Sequence, residues 1–248
     1  MINQNFSDNL YDSKFFVELT TIYVGIVKRI HKTWSEKRAS GDKTEIESLY
    51  CINEKKVKKI NDYFNSLITV ISDIDKTIIF LKIKRETILD VYPELEYRKD
   101  YYKYHLENYI IRINSISDIL GKLGNILHDT DIDDKKCNGY NFKDKLKKTD
   151  VELSKIMEEL LLKISFIKIF RHQKLHTGDT KIPYLESVIF PEDIEGLTGK
   201  KTDPILIEYC ENQFFEEIES IESEVITIID IVNAFLDKSI KKLKAIAN

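Results

Sequence analysis

Arg171, His172, Lys174 and His176 stand close together in the run Phe170-Arg171-His172-Gln173-Lys174-Leu175-His176-Thr177-Gly178-Asp179. A guanidinium keeps its charge at any working pH and grips phosphate oxygens through parallel N–H donors. An imidazole exchanges a proton near neutrality. Together these groups suit an anionic substrate whose reaction needs a proton moved, and phosphodiester cleavage fits that description. The run also closes a strongly apolar segment, so the same cations suit the C-terminal end of a helix dipole.

The spacing constrains how the site is built. On an ideal helix His176 lies five positions beyond Arg171 and is turned about 140° around the axis, so the two side chains diverge from one phosphate. Either the helix unwinds at Thr177-Gly178 and lets His176 swing back, or two copies of the motif face each other across a dimer.

The elements that must hold the motif read as long helices. Apolar residues recur at helical spacing from Phe15 to Trp34, and Ala39-Ser40-Gly41-Asp42 supplies a stop. A second stretch runs from about Asn53 to Leu89, long enough to expect a break inside, before Pro93. A third covers Leu95 to Leu127, with Tyr102, Leu106, Tyr109, Ile113, Ile116, Leu120 and Leu123 on one face. The acidic segment from Asp129 to Asp144, with Asn138-Gly139 as a turn signal, reads as a connection. A fourth, almost continuously apolar helix from Val151 to Phe170 carries the motif at its end. Gly178, Pro183, Pro191, Gly196, Gly199 and Pro204 then predict one long irregular loop over Thr177 to Pro204, with a short extended piece at Tyr184 to Phe190. A last helix spans Pro204 to Ala245. The expected fold is all-α, an elongated up-and-down helical bundle with that loop, forming one domain over 1–248.

Composition sets the frame. A chain of 248 residues with 42% hydrophobic residues can bury a sizeable core, and a formal charge of -4 leaves nucleic-acid binding to a local basic patch. Cys51, Cys137 and Cys210 form neither a CxxC zinc pair nor an even disulfide set, which points to a reducing compartment and a cytoplasmic location. The start of the chain lacks the basic and apolar regions of a secretion signal, and Glu18 interrupts the apolar run from Phe15 to Val27, so no membrane association is expected.

The order Arg171, His172, three further residues, His176 resembles the signature of the HEPN superfamily of helical-bundle ribonucleases. Tyr104-His105-Leu106-Glu107-Asn108-Tyr109-Ile110-Ile111-Arg112 is similar to an early core helix of a bacterial HEPN group, which extends the resemblance over 97–248 and leaves the N-terminal helices of 1–96 less clearly covered. The resemblance implies a homodimer with a composite cleft and metal-independent RNA cleavage by attack of a ribose 2′-OH on the neighbouring phosphate. It implies proton transfer by His176, stabilisation of the phosphorane charge by Arg171, and phosphate contact or orientation by His172. Lys174 adds positive potential. It further implies a toxin or host-defence role with RNA as partner, a possible inhibitory protein partner, and no cofactor. A non-catalytic helical scaffold that binds a nucleotide, RNA or protein through the same cleft is the alternative.

Other signals are weaker. Arg98 and His105 meet the loosest motif spacing, but Lys99 is a poor match for the polar position and the pair reads as a decoy in the third helix's charged margin. Asp129, Asp131, Asp133 and Asp134 are similar to a calcium loop, yet Asp134 and Tyr140 stand where Gly and Glu are needed, so no metal is assigned. Tyr97, Tyr101, Tyr102, Tyr104 and Tyr109, interleaved with Arg98, Lys99 and Lys103, suit base stacking, with half expected in the core or a dimer interface. Gly121 and Gly124 suit close helix approach.

Overall fold

The computed structural model describes the backbone of residues 5–177 and 184–247, and the side chains of the same residues other than 95 and 166–177. Among the described residues the regular structure is entirely helical, with no strand, as the apolar periodicity requires. The elements are α1 (Asp8–Tyr11), α2 (Lys14–Ala39), a 3-10 turn (Ile46–Leu49), α3 (Ile52–Leu81), α4 (Arg85–Val91), α5 (Leu95–Leu127), α6 (Gly139–Leu146), α7 (Val151–Thr177), α8 (Leu185–Thr198) and α9 (Pro204–Ala247). Among the described residues no helix is long and apolar enough to cross a membrane. The contacts divide into two compact units, one of residues 1–69, 116–161 and 229–248 and the other of 70–115 and 162–228.

In the first unit, α2 starts where Ser13 accepts a hydrogen bond from the Phe16 amide at 3.2 Å, satisfying one orphan N–H of the first turn. Phe15 and Phe16 then stack near Phe64 of α3, each at 5.7 Å between ring centroids. The expected close approach at the two glycines of α5 is present. A Cβ on Gly121 would lie 2.8 Å from the Asn138 carbonyl carbon, and one on Gly124 would lie 2.4 Å from the Phe142 ring.

That approach is made by α6, a helix within the segment expected to be a connection. Asn138-Gly139 is a helix start instead of a turn: the Asn138 side chain accepts from the Asn141 amide at 2.9 Å, and Phe142 and Leu146, four apart, are fully buried. The acidic stretch before it is tied down locally. Asn125 accepts from Thr130 Oγ1 and the Ile132 amide and donates to the Ile132 carbonyl, while Lys56 and Lys59 pair with Asp129 and Asp134 at 2.5 Å.

His128 stands at the same packing site, its Nε2 3.1 Å from Ser239 Oγ and its ring 6.3 Å from both Phe142 and Phe235. Burial, reinforced by Lys242 and opposed by Asp150 and Asp129, pushes its pKa down to about 4. The unfolded chain takes up the proton near pH 6.5 and so binds more protons than the folded one between these values. Stability therefore falls as pH drops from about 6.5 to about 4, by about 3 kcal/mol from this group, and levels off below. Urea titrations stepped across that window check this, with His128→Gln expected to remove the slope.

In the second unit, the break expected inside the second helical stretch falls at residues 82–84 and separates α3 from α4. Arg112 of α5 pairs with Asp73 of α3 at 2.8 Å, and the Tyr101 hydroxyl donates to the Phe80 carbonyl at 2.7 Å. Tyr102 and Tyr109 are buried whereas Tyr97 and Tyr104 are exposed, a division between core and surface along one helix. The segment expected to be one irregular loop contains α8, and the predicted extended piece is its first turns. Gly199, at φ 65°, ends that helix in the left-handed conformation that glycine tolerates. Pro191 lies inside it and lacks an amide hydrogen, yet it is buried and its carbonyl accepts from Thr202 Oγ1 at 2.8 Å. Tertiary contact thus overrides the local breaker signals.

Candidate functional site

The motif helix α7 begins at a cap. Asp150 Oδ1 accepts from the Leu153 amide at 3.0 Å. Leu153, Met157, Leu160, Leu161 and Ile164 then form a buried stripe, whereas Val151 and Leu162 are exposed. The described part of α7 therefore buries one face and is not apolar-packed all round, as the run of hydrophobic residues suggests. Its backbone stays helical through Thr177, so Arg171 and His176 sit on one continuous helix with about 140° between their positions. The side chains of Arg171, His172, Lys174 and His176 lie outside the described residues.

Tyr184, the residue before α8, takes a left-handed backbone with φ 67°. Ser187 donates to the Tyr184 carbonyl at 2.9 Å or to Glu217 Oε2 at 2.7 Å, a choice its single proton makes. Burial pushes the Glu217 carboxyl up from its ordinary range, and the Ser187 contact acts against that shift. Tyr109 is 2% exposed, and its hydroxyl has no hydrogen-bond partner among the described residues. Desolvation, with the nearby Glu224 carboxylate and Tyr184, raises its pKa. It is a phenol held neutral, unsuited to act as a base.

A buried ionic group that sequence spacing does not reveal lies further along α8. Glu192 is fully buried, and its Oε2 accepts from Arg85 Nη1 at 2.8 Å while Oε1 lies 2.7 Å from Arg85 Nη2. Arg98 Nε approaches the same carboxylate at 3.5 Å, and its Nη1 donates to the Pro93 carbonyl at 2.7 Å. Arg98 is thus an interior ion-pair member instead of part of a charged margin, which removes it from the motif on stronger grounds than its neighbours' identity. His105 stacks on Phe80 at 4.8 Å and meets Tyr101 at 4.6 Å, and burial lowers its pKa. Among the described residues no group of three or more His, Cys, Asp and Glu side chains is placed to hold a metal ion.

A family model described as Cthe2314-like HEPN matches residues 57–244, most of the chain and all of α7. The chain belongs to the HEPN superfamily. The match begins within α3 and leaves α1 and α2 outside it. No curated protein and no solved structure matches the chain. Family membership accounts for the all-α architecture and gives the Arg-His-x3-His run its context. In this HEPN chain the run stands at the C-terminal end of a helix capped by Asp150 and packed through its first half.

Proposed function

We propose that this HEPN protein is a metal-independent endoribonuclease in which His176 transfers the proton and Arg171 stabilises the charge that develops on phosphorus. The observation that carries the reading is the Arg171-His172-x3-His176 order at the end of α7, inside the span that the family model matches. The ribose 2′-OH loses its proton and attacks the adjacent phosphate. The P–O5′ bond then breaks as the leaving oxygen is protonated, giving a cyclic phosphate and a 5′-hydroxyl. His172 orients the motif or contacts phosphate, and Lys174 raises the local positive potential.

The proposed assembly is a homodimer with a composite cleft. A helical backbone that continues through Thr177 keeps Arg171 and His176 in their divergent register, which supports completion of the site by a second copy. A cytoplasmic toxin or defence role, with an inhibitory protein partner, completes the proposal.

Purified protein incubated with mixed RNA in the presence of a chelator tests the activity. Cleavage that ends in 2′,3′-cyclic phosphate and disappears in the motif variants supports it. A folded dimer that binds RNA and leaves it intact supports the scaffold alternative.

A further inference from the structure

α8 is an acidic helix lying on basic side chains. Its sequence carries Glu186, Glu192, Asp193 and Glu195 and no basic residue. Its fully buried side chains are Val188, Pro191 and Glu192, with Leu185, Ile189 and Ile194 half-buried beside them. Ion pairs engage its acidic side chains. Glu192 meets Arg85 of α4 and Arg98 of α5, Glu195 meets Arg98 at 3.7 Å, and Asp193 pairs with Lys99 of α5. Arg85 and Lys99 are closely paired, but these carboxylates leave Arg98 incompletely served. Among the described residues Arg85 Nε and Arg98 Nε make no hydrogen bond although both guanidinium groups are buried, and Arg98 reaches Glu192 and Glu195 only at 3.5 and 3.7 Å.

Each phosphate of a nucleic-acid strand presents two charged acceptor oxygens, as a carboxylate does, and matches guanidinium donors in pairs. Arg98 and Lys99 belong to the basic strip that the tyrosine-rich part of α5 displays in sequence, and the α8 carboxylates meet these two while Lys103 stays exposed. Leu197 and Phe190, 87% and 48% accessible, leave part of the helix's apolar surface outside the packing.

We propose that α8 is a displaceable acidic strap that masks an anion-binding strip formed by Arg85, Arg98 and Lys99, and that the phosphodiester backbone of single-stranded RNA displaces it. The identity of the ligand rests on the RNA reading above, but the strap does not depend on cleavage. Opening exposes three cations and separates Glu192 from them, so RNA binding and α8 docking compete.

Hydrogen exchange on the full-length His176→Ala chain, with chelator present, reads the strap without cleavage. Polyuridylate is expected to speed exchange of the α8 amides about tenfold relative to the free protein, whereas inorganic phosphate at the same phosphate concentration leaves them protected. Rising potassium chloride, which needs no further variant, is expected to speed exchange in α8 ahead of α5. Replacing the partly exposed carboxylates together, Asp193→Asn with Glu195→Gln, is expected to tighten polyuridylate binding about tenfold with the circular dichroism of the fold retained.

Unchanged α8 protection under polyuridylate, salt exchange that tracks α5, or no gain in affinity in the folded double variant each overturns the strap. Displacement by inorganic phosphate to the same extent overturns its assignment to RNA. Absence of cleavage by the wild-type chain would sink the nuclease reading alone, leaving the binding and exchange results to decide the strap.

Discussion

His176→Ala is expected to lower RNA cleavage by about a thousandfold, the scale of losing a positioned general acid or base. Arg171→Ala is expected to lower it by about a hundredfold to a thousandfold, through loss of charge stabilisation at phosphorus. Arg171→Lys restores little, because an ammonium lacks the paired donors of a guanidinium. Both losses fall on the chemical step, so single-turnover rates at saturating RNA show them while RNA affinity changes far less. Lys174→Ala behaves differently: it weakens binding and lowers the salt dependence by about one phosphate contact. Chelator is expected to leave wild-type cleavage unchanged. Retention of full cleavage by folded His176→Ala would remove the histidine from the reaction and with it the proposed mechanism.

The second large effect is on stability at the contact of α5 with α6 and α9. Phe142 and Phe235 are fully buried and meet edge to face at 6.0 Å, over the position where Gly124 has no side chain. Phe142→Ala is expected to destabilise the protein by about 3–5 kcal/mol, through lost apolar burial and the cavity left behind. Gly124→Ala is expected to destabilise by about 1–3 kcal/mol, because its Cβ would stand 2.4 Å from Phe142 Cζ and 2.9 Å from Phe235 Cζ. Removing the Phe142 ring relieves the nearer clash, so the double variant is expected to be less destabilised than the sum of the single changes. Urea denaturation of the four proteins measures this coupling. Strict additivity would show that the ring does not set the helix approach.

Much of the helical order is legible from apolar spacing. The limits read for the third helix coincide with α5, and the last helix differs from α9 by two residues at its C-terminal end. The reading fails at α6 and α8, where local residues speak for turns. Asn138-Gly139 serves a hairpin or a helix cap equally well, and burial of Phe142 and Leu146 decides for the cap. Pro191, Gly196 and Gly199 argue against a helix in isolation, yet Glu192 gains buried partners when α8 forms against α4 and α5. For the motif, residue type and order in Arg171, His172, Lys174 and His176 were legible, and the continuous backbone of α7 adds their common helical register.

Neighbouring residues alone dictate the helical periodicity, the placement of an arginine and two histidines at the end of an apolar helix, and the HEPN resemblance, because each depends on separations of a few positions. Tertiary structure decided which charges are interior. Arg85 and Glu192 are 107 residues apart, and the same side chains in another packing would be solvated surface groups. Burial and pairing depend on which helices meet, and that outcome belongs to the whole chain, since a desolvated charge is tolerated only where a distant segment supplies its partner.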